Sequence, residues 1–294
     1  MPNDDTNGKE ARDRRAEEIL RGQTEALVRH LDEQCVALIG FQGDTPGEVG
    51  SGTCVTIGGR FFVATAAHFI EDYANADLFI VHTRTPKPAD QRVPIIGRGL
   101  RGGKVTDPVD VAFLEISGES AISIGKKFVP LERLEPCCED LPQDLAFVYG
   151  YPSEKVDPEL LKQQKVRLQP IGYLTIPIDP ASLGRDRNFD VYLEYPAAGN
   201  KLTTGEELDK LPAAHGISGG GIWAAHVNEP GLWSPDKCKL IATEQSWRGD
   251  EWVRGTQIQH WLDLVATDIP ELRPLIEALL QTRTATTDST SLSP

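Results

Sequence analysis

Long apolar runs are missing from this chain. The longest, Cys35 to Phe41 and Phe61 to Ala67 with Thr65 interrupting, fall far short of the roughly 20 residues that a membrane-crossing helix needs. No transmembrane segment is expected. The opening stretch MPNDDTNGKEARDRRAEE is densely charged and lacks the apolar core of a secretory signal, so a cytoplasmic location is the expectation. Cysteine is also sparse. The five cysteines (Cys35, Cys54, Cys137, Cys138 and Cys238) are odd in number and none lies in a C-x-x-C spacing, which reads as reduced thiols packed as small hydrophobes. Basic charge is in deficit, with 30 Lys and Arg against 44 Asp and Glu and a net charge of −14. Such a surface repels phosphate backbones and anionic lipid, so neither nucleic acid nor membrane is an expected partner. His30, His82 and His215 show no H-E-x-x-H or comparable spacing, so no metal and no cofactor are expected.

What remains is ordinary globular material: 294 residues, 39% hydrophobic and 25% charged, enough for about two compact units. Up to residue 33 the chain is charged, with Ala16, Ile19, Leu20, Leu27 and Leu31 at roughly helical spacing, which predicts one amphipathic helix weakened at Gly22. From Cys35 the texture changes to short β-rich runs (CVALIGF, GTCVTI, RFFVATA, DLFIVHT, DVAFLEI) between Gly, Pro and Asp clusters. A second group follows (DLAFVYGY, KVRLQPIGYLTIPI, DVYLEYP, GGGIWAA, KLIATEQSW), with the break near Pro136 to Leu141. Beyond Val253 helical spacing returns in Ile258, Trp261, Leu262 and Val265, then in Leu272, Leu275, Ile276 and Leu279, split by Pro270. The Thr- and Ser-rich end reads as a disordered tail. The expected division is therefore 1–33 helix, 34–135 first β unit, 136–255 second β unit, 256–282 helices and 283–294 tail.

Four fragments carry chemistry: TAAH ending in His68, DVAFL beginning with Asp110, GISGGG around Ser218, and QSW at Gln245 to Trp247. A nucleophilic serine needs a base to take its proton and a carboxylate to orient that base, and all three types occur in the order His, Asp, Ser. With these residues the chain resembles the trypsin/chymotrypsin-like serine peptidases, notably the bacterial stand-alone domains, from roughly Gln34 to Val253. The resemblance implies a mainly β fold of two packed six-stranded antiparallel barrels, flanked here by the N-terminal helix and the C-terminal helices. It assigns His68 as general base, Asp110 as its orienting carboxylate and Ser218 as nucleophile. The backbone N–H groups of Gly216 and Ser218 take the place of the oxyanion hole. Ser246 and Trp247 match the strand that pairs with an extended substrate. Pro212, followed by Ala213, Ala214 and His215, falls at the base of the specificity pocket in that family, and Arg248 on the strand that forms one wall. The segments GSGTCVTI and FVYGYP resemble non-catalytic strands of the same family.

Departures from the family pattern shape the rest. Ile217 stands where activated digestive members carry an Asp that pairs with a newly cleaved N-terminus, so activation by such cleavage is not expected. Arg248 replaces a Gly, Gly221 a common Pro, and Phe69 a Cys, which leaves Cys54 without its disulfide partner. Since Pro212, Ala213 and Ala214 carry no negative charge, cleavage after Lys or Arg is disfavoured, and small apolar residues, then acidic ones, are preferred. Two other readings stay open. GISGG also fits the nucleophile elbow of α/β-hydrolases, against which stand the strand-like GGGIWAA and the order of the residues. A trypsin-like fold used as a non-catalytic protein-binding module is the other. The expected partner is a protein or peptide substrate, and the oligomeric state is unknown.

Overall fold

The computed structural model describes residues 21–42, 45–72, 77–81, 92–95, 102–105, 108–136, 145–153, 169–185, 188–195, 214–226, 232–249 and 251–290. Helix α1 covers residues 21–32. It is followed by β1 (Cys35–Gln42), β2 (Thr45–Ile57), β3 (Arg60–Thr65), α2 (Ala67–Asp72), β4 (Asp77–Val81), β5 (Arg92–Ile95), β6 (Gly102–Val105), β7 (Val111–Ile116), α3 (Gly118–Ile124) and β8 (Val129–Pro130). The second group comprises β9 (Ala146–Gly150), β10 (Ile171–Thr175), β11 (Pro177–Ile178), β12 (Asp190–Glu194), β13 (Gly221–Ala224), β14 (Lys239–Arg248) and β15 (Trp252–Gln257). Helices α4 (Ile258–Asp268) and α5 (Arg273–Thr290) close the chain.

These strands make two curled, antiparallel half-barrel sheets, an arrangement consistent with the chymotrypsin-like fold. The first has the order β5-β4-β1-β2-β3-β7-β6, with β8 pairing in parallel to β2. The second has the order β10-β9-β13-β14-β15-β12-β11. The expectation of two closed six-stranded barrels is corrected: the sheets hold eight and seven strands and are open. In the first sheet the extra strand is β8, which returns beside β2 after α3, while β5 and β6 form the two edges. In the second, the edge strands β10 and β11 are halves of one segment bent at Ile176, whose carbonyl accepts a hydrogen bond from the Glu194 N–H at 3.0 Å. The backbone itself, not a ladder, spans that seam.

Period-two alternation sorts side chains between cores. Along β1, Cys35, Ala37 and Ile39 enter a layer shared by both sheets, whereas Val36 and Leu38 fill the interior of the first sheet. Val148, Ile171, Tyr173, Ile222 and Val253 fill the second. The shared layer also takes Leu27 and Leu31 of α1 and Trp261 and Leu262 of α4, so both terminal helices seal the contact between the sheets. Trp261 also donates its indole N–H to the Ala112 carbonyl at 3.0 Å. Ala16, Ile19 and Leu20 lie outside the described residues. Helix α5 runs on to Thr290, past the expected boundary at 282, because no Gly or Pro between 283 and 290 stops it. Among the described residues, no helix is long and apolar enough to cross a membrane. They also hold no group of three or more His, Cys, Asp or Glu that would hold a metal ion.

Candidate active site

His68 sits in the first turn of α2, directly beyond β3, where the fully buried Ala66 and Ala67 bring the backbone close to its neighbours. Asp110 grips it twice. One carboxyl oxygen accepts the His68 backbone N–H at 2.9 Å and the other lies 2.6 Å from Nδ1. A carboxylate only accepts, so the shared proton belongs on Nδ1 and Nε2 keeps its lone pair. Burial is the largest influence on Asp110 and pushes its carboxyl up. The hydrogen bond and charge of His68, with the backbone amides of His68 and Ala67, outweigh it and hold the group below its ordinary value. Asp110 is anchored in turn through its own N–H, which donates to Thr256 Oγ1 at 3.4 Å. Thr256 donates to Gln245 Oε1 at 3.3 Å. This links the Asp110 backbone to the strand beside Ser218.

The loop bearing Ser218 is built from backbone constraints. Gly216 (φ +89°) and Gly219 (φ +87°) occupy conformations that side chains rarely adopt, and there is no room for one in either place. A Cβ on Gly219 would lie 2.1 Å from the Ser51 carbonyl oxygen, and one on Gly216 would lie 2.6 Å from the Ser153 nitrogen. The His215 carbonyl accepts the Ser153 N–H at 2.7 Å, which turns the Gly216 N–H of the same peptide to the opposite side. Ser51, fully buried, then binds the loop to both sheets. Its N–H donates to the Ser218 carbonyl at 2.8 Å, and its hydroxyl donates to the Gly216 carbonyl at 2.8 Å while accepting the Tyr151 N–H at 2.8 Å. Thr65 donates to the Ser51 carbonyl at 2.8 Å, which ties this knot to the TAAH turn. The amides of Gly216 and Ser218 make no hydrogen bond among the described residues, so both can receive an anion.

His68, Asp110, Gly216 and Ser218 thus converge where the two sheets meet. The Ser218 hydroxyl donates to the Gln245 carbonyl at 3.4 Å, a long bond that leaves the oxygen loosely held. Ile217 is fully buried among Val148, Ile222 and Ala242, so apolar packing fastens the loop. Trp223 explains Gly221, since a Cβ there would lie 2.5 Å from the indole nitrogen. Phe69 packs under Gly50, and Cys54 is a free, buried thiol.

Of the residues expected to bind substrate, Ala214, His215, Ser246, Trp247 and Arg248 are described. Ala214 is fully buried, His215 is exposed, and the His215 ring meets Trp247 edge-on with centroids 5.5 Å apart. Ser246 and Trp247 lie on β14 opposite Arg254 and Val253 of β15, just after a bulge at Gln245. The Arg248 side chain is 67% exposed and pairs with Glu251 at 3.4 Å. Pro212 and Ala213 lie outside the described residues. Three residues escaped the sequence reading: Ser51, Tyr173 and Glu244. The signal for Glu244 was a lone acid in an otherwise uncharged stretch, LIATEQSW. It is 0% exposed, and neither carboxyl oxygen completes a hydrogen bond. Burial raises its pKa well above the ordinary carboxylate value; the nearby Ser218 hydroxyl opposes this and the Asp110 charge adds to it.

No protein-family model matches the sequence, and no curated protein does. Among solved structures, a serine endoprotease from Yersinia pestis is similar at 11% identity, with a TM-score of 0.49 over 85% of this chain and 66% of that one. This chain therefore spans just under two thirds of that enzyme. A structure concerned with the coupled folding and binding of the intrinsically disordered Sesbania mosaic virus VPg protein is similar at 12% identity, with a TM-score of 0.41 over 76% of this chain and 85% of that one.

Proposed function

We propose that the protein is a serine endopeptidase that hydrolyses peptide bonds through an acyl-enzyme. The observation that carries this reading is the two-point grip of Asp110 on His68, with Nδ1 at 2.6 Å and the backbone N–H at 2.9 Å, which leaves Nε2 as a base. Ser218 transfers its proton to His68 Nε2 as its oxygen attacks the substrate carbonyl. The resulting oxyanion accepts the N–H groups of Gly216 and Ser218. His68 then protonates the departing amine, and a water, deprotonated by the same ring, releases the acyl group. Asp110 stays ionised and steadies the imidazolium throughout. Activity accordingly rises with pH as His68 loses its proton. A protein or peptide is the substrate, no cofactor or metal takes part, and the setting is the cytoplasm. With Ile217 packed into the core, no N-terminal cleavage is needed.

One observation favours a non-catalytic binding module instead: the Ser218 hydroxyl is directed at the Gln245 carbonyl, not at His68. Catalytic hydrogen bonds are often long or misaligned before substrate binds, so the peptidase reading stands first. Covalent labelling by a fluorophosphonate separates the two, since it requires a working base and oxyanion hole. We expect Ser218 to be labelled in the full chain and labelling to be lost in His68→Ala. A chain that is never labelled, or a His68→Ala variant labelled as fast as the parent, leaves only the binding module.

A further inference from the structure

Helix α1 carries a histidine whose surroundings suit only its neutral form. His30 Nε2 lies 2.9 Å from Arg133 Nη1 and 3.0 Å from Gln34 Nε2, and its side chain is 15% exposed. A guanidinium donates and never accepts, so Nε2 presents its lone pair and the ring proton sits on Nδ1. Gln34 can turn its amide over and offer Oε1, which is buried with no partner among the described residues. Arg133 has no such freedom. Its Nε and Nη2 donate to the Cys238 carbonyl at 3.2 and 2.8 Å, Nη2 also reaches the Pro235 carbonyl at 3.3 Å, and the guanidinium lies over the Trp223 ring at 5.8 Å. The other charges nearby do not rescue a protonated ring. Asp236, on the turn at Pro235–Lys237, stands 3.8 Å from Nε2 but is 80% exposed to water. Glu33, just past α1, pairs with Lys127 at 2.7 Å. Burial and then Arg133 hold the ring below its ordinary value; Asp236 opposes them, and Lys127 and Glu33 act in opposite directions.

The far end of the same helix is fastened without His30. Lys126 Nζ donates to the Asp32 carbonyl at 2.5 Å and the Tyr149 hydroxyl to the Asp32 carboxylate at 3.0 Å. The Lys127 N–H donates to the Glu33 carbonyl at 2.6 Å, and the Cys54 N–H to the Gln34 carbonyl at 2.8 Å. Upstream of this anchor, Leu27 and Leu31 dock in the apolar layer shared by the sheets, and His30 joins the helix to Arg133. We infer that His30 is an acid-sensitive latch: in mildly acidic solution the ring takes a proton, is repelled by Arg133, and α1 swings out of its seat about residues 32–34 while both sheets stay folded. The inference is independent of the peptidase reading. Its direction follows from linkage. A released helix gives His30 to water, where it binds a proton at about 6.5, whereas the docked ring binds one only at lower pH. Docking is therefore at full strength above about pH 6.5, weakens as pH falls from there toward the lowered docked value, and changes no further below it. The sheets are spared because Arg133 keeps its carbonyl partners when His30 leaves. What acid uncovers is the apolar seat of Leu27 and Leu31.

Hydrogen exchange of the full chain tests the latch, read by mass spectrometry on peptides from α1 and corrected for the intrinsic pH dependence of exchange. Opening of α1 should rise by at least about threefold between about pH 7.5 and about pH 5, while β13 and β14 keep their protection. His30→Gln still offers Arg133 an acceptor but cannot take a charge, and should keep the helix equally closed at both pH values. Magnetic resonance of the parent chain with isotope-labelled histidine supplies a check that needs no variant: His30 should carry its proton on Nδ1 at neutral pH and titrate below about 6.5. Four results overturn the inference. They are equal α1 protection at both pH values, a His30→Gln chain that opens in acid as the parent does, loss of protection in the sheets together with α1, and a His30 ring that is protonated on Nε2 at neutral pH or titrates at or above about 6.5.

Discussion

Replacing Ser51 with alanine isolates the contribution of one hydroxyl to the site. That hydroxyl donates to the Gly216 carbonyl and accepts the Tyr151 N–H, both at 2.8 Å, and Ser51 and Tyr151 are each 0% exposed. Alanine keeps the fold's shape and leaves both partners unpaired. A buried group deprived of its partner costs about 1–3 kcal/mol. Tyr151 N–H bears the full cost, whereas the Gly216 carbonyl is only half-buried, so the total should be about 2–4 kcal/mol. For a chain of this size that lowers Tm by roughly 3–7 °C. The functional loss follows from the same atoms. Freed of Ser51, the Gly216 to Ile217 peptide can rotate, and the neighbouring Gly216 N–H no longer points steadily at the oxyanion position. Fluorophosphonate labelling of Ser218 should slow by about tenfold or more. Ser182→Ala is the control: its hydroxyl also bonds a carbonyl, that of Asp179 at 2.7 Å, but at an exposed site, where little change is expected. If Ser51→Ala melts within about 1 °C of the parent and is labelled at the parental rate, the hydroxyl does not hold the loop and the argument fails.

Three further outcomes are expected. Gly219→Ala sets a Cβ 2.1 Å from the Ser51 carbonyl and 2.2 Å from Thr65 Oγ1 at φ +87°, and should cost about 3 kcal/mol or more in a denaturant titration; near-parental stability would show that the turn relaxes. The Asp110 carboxyl, held below its ordinary value in the fold, adds stability above the unfolded carboxylate pKa of about 3.9 that is lost as pH falls through the depressed folded value. His68→Ala removes the ring that lowers it and leaves burial dominant, so the Asp110 pKa should move up and the acid-side stability slope should flatten or invert; an unchanged slope would separate Asp110 from His68. Burial pushes the Cys35 thiol up to about 12 and Cys54 higher still, so mass-spectrometric mapping after iodoacetamide at neutral pH should find both unmodified until the chain is unfolded.

The strands that were legible are those whose runs are long and apolar. CVALIGF, RFFVATA and GGGIWAA each carry several apolar residues in a row, β-branched or aromatic ones among them, and become β1, β3 and β13. By contrast β15, WVRGTQ, reads as the approach to a helix, because Gly255 weakens any strand pattern. The glycine is there for contact: a Cβ would stand 2.3 Å from Ile222 Cδ1 and 3.0 Å from the Thr243 carbonyl oxygen. Likewise β10 and β11 read as one strand, and the break at Ile176 depends on β12 pairing with only the second half. Open sheets in place of closed barrels follow from such pairing, which no local periodicity encodes.

At the candidate site, the residues proposed to react were legible and the residues that hold them were not. His68, Asp110 and Ser218 stand in fragments whose residue types have few other uses together, and the fold brings those fragments to one place. Ser51 has no such mark. A serine between two glycines reads as a turn, and its role comes from contacts 100 and 165 residues away in the chain. Glu244 is subtler, because an acid within a strand pattern normally faces water. A bulge between Glu244 and Ser246 shifts the register of β14 against β15 at that point, while the ladder to the Ser218 loop holds Glu244 at the back of the nucleophile. Gln245, the extra residue of the bulge, has its carbonyl receive the Ser218 hydroxyl and follows a fully buried Glu244. Deleting Gln245 would move Ser246 and Trp247 by one register position relative to the Ser218 loop. The surroundings of the Ser218 loop therefore depend on strand register, which residue identities alone do not reveal.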